Sequence, residues 1–232
     1  MSVAGHTSKA FDEDRTRLRA VISQMGGRAE HALREAIRCL LERDVEGAAK
    51  VVADDKVLDV MEAEAESMAL QMIALRAPMA DDLREAVAAL KITSVVERIG
   101  DYAKNIAKRV PTLDDSSEIE PVAMLPEMGR LASGMVHDAL DAFVGRDAEA
   151  AAAVLANDRQ LDDYYNSIFR ALLTYMMENP HNITPAAHLL FVAKHIERIG
   201  DHATNIAEMV YFAATGRRVE DRPRGASPID GE

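Results

Sequence analysis

The sequence contains an internal repeat, and this repeat limits the fold more than any other feature. Residues 97–107 read Glu-Arg-Ile-Gly-Asp-Tyr-Ala-Lys-Asn-Ile-Ala, and residues 197–207 match them at nine of eleven positions. Further upstream, residues 43–59 align with residues 146–162. The offset between the copies falls from 103 to 100 residues along the chain, so the copies differ in the length of a loop. The second half of the chain is therefore predicted to repeat the fold of the first.

Glycine and proline separate six long segments with apolar periodicity, which we predict to be helices. Only 4% of the residues are aromatic and none is tryptophan, so aliphatic residues must supply the core, and this favours helices over sheets. Three helices of about 30 residues joined by short loops form an up-down-up bundle. We therefore predict an all-α fold, a tandem duplication of a three-helix bundle, with helices near 9–42, 44–76, 81–110, 120–144, 147–178 and 184–215.

The repeat also predicts the domain boundaries. The first bundle is expected to span residues 1–112, the second residues 113–216, and a polar, mobile tail residues 217–232. Helix starts are predicted at Asp44 and Asp147, which have the side chain of a good N-cap, and at Asp82, which would form a capping box with Glu85.

The charge balance restricts the partners and the compartment. The chain has 27 Lys+Arg against 39 Asp+Glu, a formal net charge of −12, whereas nucleic-acid binding requires basic surface. Direct binding to nucleic acid is not expected. The single cysteine, Cys39, cannot form an internal disulfide and is predicted to lie in the core. The start lacks a signal-peptide pattern, and no apolar run reaches the roughly 18 residues of a membrane span. We expect a cytoplasmic protein without membrane insertion.

Acidic residues recur at a spacing of four on equivalent helices, which places successive side chains one turn apart. One such pair on its own would be ordinary solvated surface. Four pairs at equivalent positions need a further reason, because like charges at this spacing are mildly destabilising. A glycine directly precedes the aspartate of each motif and permits close approach of a ligand or, equally, of a neighbouring helix. The predicted stripes are Glu97, Asp101 and Asn105 with Asp55 and Asp59 in the first half, and Glu197, Asp201 and Asn205 with Asp158 and Asp162 in the second.

Clustered carboxylates without cysteine are the ligand set of hard cations, namely Mg²⁺, Mn²⁺, Ca²⁺ or iron in an oxygen-rich site, with zinc less favoured. His202 adjoins Asp201 and is a candidate peripheral ligand, as are Asn105 and Asn205. Arg98 and Arg198 flank the stripes and are expected to neutralise them, with contact to phosphate as the alternative. A di-iron oxidase would need Glu-x-x-His on two inward faces, and this pattern is not present there. No nucleotide-binding loop or nucleophile motif is found, so no catalytic residue is predicted.

The duplicated Glu-Arg-Ile-Gly-Asp-x-Ala-x-Asn-Ile-Ala motif, preceded in each half by Asp-x-x-x-Asp, resembles the PhoU family over about residues 6–215. The resemblance implies two three-helix bundles, usually a cytoplasmic homodimer, and multinuclear clusters of iron, zinc, magnesium or manganese. It points to Glu97, Asp101, Glu197 and Asp201 as metal ligands, with the four aspartates of the adjacent helices as partners. The pair Tyr102/His202 departs from strict repetition and would make the two sites unequal.

The same resemblance implies a regulatory role rather than a reaction. The family restrains the phosphate-starvation response by contacts with the ATPase of the phosphate ABC transporter and with a sensor histidine kinase. Two alternatives stay open on the sequence alone. One is a carboxylate-bridged metalloenzyme on a helical bundle, and the other is a helical interaction module whose acidic residues bind nothing.

Overall fold

The structure, a computed structural model, describes residues 3–114 and 120–219 and is helical throughout these ranges apart from short turns. No strand occurs within them, so the all-α prediction is confirmed. The six predicted helices are present, with boundaries that agree to within a few residues except near 3–9, 107–110 and 120–125. The helices are α1 (Val3–Glu42), α2 (Val45–Arg76), α3 (Asp81–Ala107), the short α4 (Val110–Asp114), α5 (Leu125–Gly145), α6 (Ala148–Glu178) and α7 (Ile183–Thr215), with 3-10 turns at Glu120–Met124 and Pro180–Asn182.

The helices form two three-helix groups that share an interface. Helices α1, α2 and α3 pack against one another, as do α5, α6 and α7. The two groups meet where α3 packs on α7 and where α1 packs on α5. We call the α3–α7 contact the seam. The domain boundary predicted between residues 112 and 113 falls within α4, and the part of the predicted tail from residue 220 lies outside the described residues.

The turn between the first two helices of each group has the same local structure in both halves. Arg43 and Arg146 adopt the left-handed conformation, with φ of 56° and 54°. The following aspartate then caps the next helix: Asp44 accepts a hydrogen bond from the amide of Gly47 at 2.7 Å, and Asp147 accepts from the amides of Glu149 and Ala150 at 2.9 and 3.0 Å. Both predicted N-caps are confirmed, and the sequence repeat is thus a repeat of backbone geometry.

The predicted capping box of α3 is wrong. The helix begins at Asp81, so Asp82 lies inside its first turn, and the residue at the N-cap position, Ala80, makes no side-chain capping bond. Glu85 does not reach back to the helix start, because its side chain turns into the protein, where the residue is only 4% exposed.

Glu85 instead joins three helices. Its carboxylate accepts a hydrogen bond from Arg19 of α1, and it also faces Arg15 Nη1 at 3.9 Å and Arg146 Nε at 3.3 Å. Arg146 follows directly after α5. One buried carboxylate therefore connects α1 and α3 of the first group to the end of α5 in the second. We call Glu85 with Arg15, Arg19 and Arg146 the Glu85 cluster.

The apolar faces of the long helices form one contiguous core. On α3, Ile92, Ile99, Ala103 and Ile106 recur at helical spacing along one face and are all fully buried. Val95 is only half-buried, because it lies at the edge of the seam. Cys39 is fully buried, as predicted. Among the described residues, no helix combines the length and the apolar character that a membrane span needs.

Candidate functional site

The eight predicted acidic residues divide into two clusters, one in each three-helix group. In each cluster a pair of aspartates comes from the second helix, and a glutamate and an aspartate come from the third. The structure therefore places every one of these side chains on the helix predicted for it. The first acidic cluster is Asp55 and Asp59 on α2 with Glu97 and Asp101 on α3, and the second is Asp158 and Asp162 on α6 with Glu197 and Asp201 on α7.

Each cluster reaches into the groove between two packed helices. Asp55 and Asp158 are only 8% and 6% exposed, so these two are not ordinary surface carboxylates. Glu97, Glu197 and Asp162 are half-buried, while Asp59 and Asp201 are exposed. Burial of an acidic side chain requires a compensating partner. The clusters therefore need cations close by.

The mid-helix glycines are explained by helix packing. A Cβ atom on Gly100 would lie 2.4 Å from Leu58 Cδ1 of α2, and one on Gly200 would lie 2.1 Å from Leu161 Cδ2 of α6. Because no side chain intervenes, the second helix of each group approaches the third closely. Both glycines are therefore explained by close packing of a neighbouring helix. The close approach also brings the two halves of each acidic cluster together.

Lys104 supplies a positive charge to the first acidic cluster. Its ammonium nitrogen donates to Asp55 Oδ2 across the α2–α3 groove at 2.5 Å, and it also donates to Asp101. Burial lowers the pKa of Lys104, but the hydrogen bonds to the two carboxylates more than offset this and raise it above its ordinary value. The first acidic cluster is therefore built around a cation, which here belongs to the protein itself.

Glu97 lies in the most negative part of this cluster. Burial first, and then repulsion from Asp101, Glu62, Asp59 and Asp55, raises its pKa to about 7. Sequence reasoning missed Glu62. It lies three residues after Asp59, on the same side of α2, so helical spacing could have identified it.

The second acidic cluster has the same acids but a different arrangement of cations. Thr204 stands where the first half has Lys104, and the ammonium of Lys194 instead donates to Glu197 Oε1 at 2.7 Å. Burial and repulsion from Glu197 raise the pKa of Asp162. Asp201 keeps much of its surface exposed, but partial loss of hydration of its carboxylate, and then repulsion from Glu197, raises its pKa to about 6. Negative charge is thus only partly compensated in this cluster.

The donor chemistry of both clusters fits a hard cation. Carboxylate oxygens are the ligands preferred by magnesium, manganese and oxygen-bound iron. In the first cluster the ammonium of Lys104 already pairs with Asp55 and Asp101, so a metal ion bound to both would have to displace it. Among residues 3–114 and 120–219, no three His, Cys, Asp or Glu side chains already converge at a spacing that could hold an ion. The metal assignment therefore stays a prediction.

Of the three predicted peripheral residues, His202 and Asn205 lie at the seam. His202 stacks on Tyr102 across the seam, with ring centroids 5.4 Å apart, and it lines a groove of about 550 Å³ together with Asn205 and Arg98. Asn105 is half-buried. Among the described residues, neither Arg98 nor Arg198 forms a salt bridge, and Arg198 lies over the ring of Tyr102 at 5.9 Å. The close ion pairs of the stripes are formed by lysines, while the charge of Arg198 acts on Asp201 without a salt bridge and lowers its pKa against the larger effects of burial and Glu197.

Comparisons with known proteins agree with the fold and with the duplication. The family model for the PhoU domain matches residues 22–110 and 125–210, one match in each half. The chain is 52% identical over 231 residues to a phosphate-specific transport system accessory protein PhoU homolog of Zymomonas mobilis, covering 100% of this chain and 98% of that one. It is 46% identical to a protein of the same description from Caulobacter vibrioides, over 94% and 96% of the two chains.

Two solved structures share the architecture. The crystal structure of PhoU from Pseudomonas aeruginosa matches with a TM-score of 0.85 and 33% identity, over 89% of this chain and 100% of that one. The phosphate transport system regulatory protein PhoU from Streptococcus pneumoniae matches with a TM-score of 0.84 and 27% identity, over 90% and 99%.

Proposed function

The chain belongs to the PhoU family, and from this premise we propose that it is an accessory protein of phosphate-specific transport that regulates phosphate uptake. The observation that carries the proposal is the match to the Zymomonas mobilis accessory protein, which runs over the whole chain at 52% identity. The relatives are named as accessory and regulatory proteins and not as enzymes. We therefore assign the chain a regulatory role rather than a reaction.

The finer part of the proposal concerns partners. The protein acts in the cytoplasm as a homodimer and as a negative regulator of the phosphate-starvation response. It contacts the ATPase of the phosphate ABC transporter and the sensor histidine kinase of the phosphate two-component system. The family resemblance supports these partners, and the net charge of −12 argues against a direct contact with DNA as the route of control.

We further propose that the two acidic clusters bind metal cations, iron, manganese, magnesium or zinc. Asp55, Asp59, Glu97 and Asp101 hold the first, and the equivalent residues of the second half hold the second. The support is the oxygen-only donor set and the incompletely compensated charge around Asp201. A bound cation supplies positive charge that links the second helix of each group to the third.

Deletion of the gene tests the regulatory role. In phosphate-rich medium, we expect a phosphate-starvation reporter to be active in the deletion strain, because its negative regulator is missing. Expression of the wild-type chain should silence the reporter again. The reporter is measured in rich and in limiting phosphate, and the limiting condition shows that the response itself is intact. A reporter that stays silent in the deletion strain under rich phosphate would contradict the proposal.

Substitution of the clustered aspartates tests the metal sites. We expect the Asp158→Asn/Asp201→Asn double variant to lose metal from the second acidic cluster. Its affinity for metal should fall by about 100-fold or more, because mutation of residues that only support the ligands already reduces metal affinity by about 10–100-fold. Elemental analysis after preparation without chelator gives the stoichiometry, and metal titration gives the affinity. Asp54→Asn and Asp163→Asn are matched controls, because these exposed aspartates adjoin Asp55 and Asp162.

The metal sites should also depend on pH. A metal binds the ionised carboxylates, and the pKa values of Glu97 and Asp201 are about 7 and about 6, so affinity is expected to fall as the pH decreases from 8 to 6. Two results would oppose the assignment: equal metal content in the double variant and the controls, or no metal bound to the wild-type chain in metal-replete medium.

A further inference from the structure

The seam carries positive charge on a protein that is otherwise strongly acidic. Cationic and imidazole side chains from α3 and α7 gather along it, although the chain as a whole has a net charge of −12. The acidic clusters described above face α2 and α6 and leave this face to other residues. The group, which we call the seam cluster, consists of Arg98 and Tyr102 on α3, Arg109 in the turn just after α3, and His188, His195, Arg198 and His202 on α7.

The centre of the seam cluster is compact. Around the ring of Tyr102 lie the ring of His202 at 5.4 Å, the ring of His195 at 5.5 Å and the guanidinium carbon of Arg198 at 5.9 Å. Towards the other end of the seam, the guanidinium of Arg109 lies 3.0 Å from His188 Nδ1. Helices α3 and α7 run antiparallel here, so both halves of the repeat contribute an arginine near the middle of the seam.

Three polar atoms of this cluster are enclosed and, within the described part of the chain, unpaired. The Nδ1 atoms of His195 and His202 and the Nε atom of Arg109 are buried and have no hydrogen-bond partner among the described residues. A neutral imidazole carries one hydrogen, and placing it on an enclosed nitrogen without an acceptor costs free energy. The hydrogen therefore belongs on Nε2 in both rings, where the donor is not enclosed.

The nearby negative groups form no salt bridge with the arginines of the seam among the described residues. Glu66 of α2 lines the adjacent groove, where its carboxylate accepts a hydrogen bond from Ser94 Oγ at 3.3 Å. Asp201 adjoins His202, and its strongest electrostatic coupling is with Glu197, while Lys194 and then Arg198 oppose this effect more weakly. Among the described residues, neither Arg98 nor Arg198 forms a salt bridge with these carboxylates or with any other.

From this arrangement we propose that the seam cluster binds a phosphoryl oxyanion, inorganic phosphate, with Arg98 and Arg198 as its charged partners and the imidazole N–H groups of His195 and His202 as further donors. Guanidinium groups match tetrahedral oxyanions because they present parallel N–H donors. The guanidinium of Arg198 lies over the ring of Tyr102, and Arg98 lines the adjacent groove with His202, so both are accessible to an anion from solvent. This inference goes beyond the proposed function and stands on the charges and donors of the seam alone.

Binding of phosphate to the full-length chain tests the proposal. The chain is first treated with chelator, so that phosphate cannot bind through a metal in the acidic clusters. Isothermal titration at constant ionic strength should then show one site per chain for inorganic phosphate, with a submillimolar to low-millimolar dissociation constant. The Arg98→Gln/Arg198→Gln variant should bind at least ten-fold more weakly. The Arg28→Gln/Arg159→Gln variant, which removes two exposed arginines elsewhere, should bind like the wild-type chain.

Nuclear magnetic resonance gives a second measurement that does not depend on the arginine substitutions. On addition of phosphate, the imidazole signals of His195 and His202 should shift, while those of the exposed His31 and His181 should stay unchanged. The proposal is overturned if phosphate shows no saturable binding at concentrations up to about 10 times the expected dissociation constant, or if both double variants bind phosphate equally weakly. It is also overturned if phosphate shifts the signals of all histidines alike, or if the site binds an acidic peptide but not phosphate.

Discussion

Replacement of Glu85 by glutamine is expected to lower the free energy of unfolding by about 2–4 kcal/mol, because removal of one member of a buried ion pair leaves its partners charged and uncompensated. Three guanidinium groups share this carboxylate, and Arg15 and Arg19 keep only 23% and 18% of their side-chain surface exposed. Burial already lowers the pKa of Arg19, and Glu85 is the first group that opposes this effect. The expected loss of stability is smaller than for a fully buried ion pair because the side chain of Arg146 is 39% exposed.

Urea denaturation of the Glu85→Gln variant measures this loss. The matched control is Glu127→Gln, which breaks the exposed pair of Glu127 with Arg130 on α5 and should leave the midpoint unchanged. The Glu85→Gln/Arg146→Gln double variant should recover part of the loss, since one fewer guanidinium is then left without a partner. A Glu85 variant as stable as the Glu127 variant would show that the cluster does not connect the two groups energetically.

Alanine at Gly26 or Gly129 is expected to destabilise the protein by about 1–3 kcal/mol through overpacking of the contact between α1 and α5. A Cβ atom on Gly26 would lie 2.0 Å from Leu140 Cδ1, and one on Gly129 would lie 2.1 Å from Ile37 Cδ1. Both opposing side chains are buried, so their terminal methyl groups have little free space to move into. The two contacts run in opposite directions, with each helix supplying one glycine and one large side chain.

The same two helices supply the controls. Gly27 and Gly134 are exposed, and a Cβ atom there would meet nothing within 4 Å. Alanine at either position should therefore stabilise the protein by about 0.5–1 kcal/mol, the gain in helix propensity over glycine. Thermal and urea denaturation of the four single variants compare the pairs directly. Equal changes in stability for the Gly26 and Gly27 variants would mean that the contact between α1 and α5 rearranges without loss of stability.

Much of the fold follows from local patterns that need no tertiary information. Asp44 and Asp147 act as the predicted caps because an aspartate side chain reaches its own helix start wherever the helix packs. The buried face of α3 follows from the spacing of Ile92, Ile99 and Ile106 in the same way. The capping box predicted for Glu85 was wrong because a bond within its own helix competed with a hydrogen bond from Arg19, 66 residues away in the sequence.

The sequence identified the acidic positions of the candidate site but not its cations. Spacing of four on equivalent helices was sufficient to select the eight acidic residues. It could not show that Lys104 bridges α3 to Asp55 of α2, 49 residues earlier, or that Lys194 plays a related part from a different turn of α7. These contacts depend on how close two helices come, and Leu58 and Leu161 packed over glycine set that distance.

By itself, the sequence determined the duplication, the all-α fold, the helix positions and the acidic stripes, because all of these follow from the periodicity of a helix and from residues close together in the chain. The tertiary structure alone decided which charges meet. It brought Arg98 and Arg198 to the seam, where neither forms a salt bridge among the described residues, and it placed His202 against Tyr102. The physical reason is that neighbouring positions on a helix point about 100° apart, so adjacent residues of one motif face different partners.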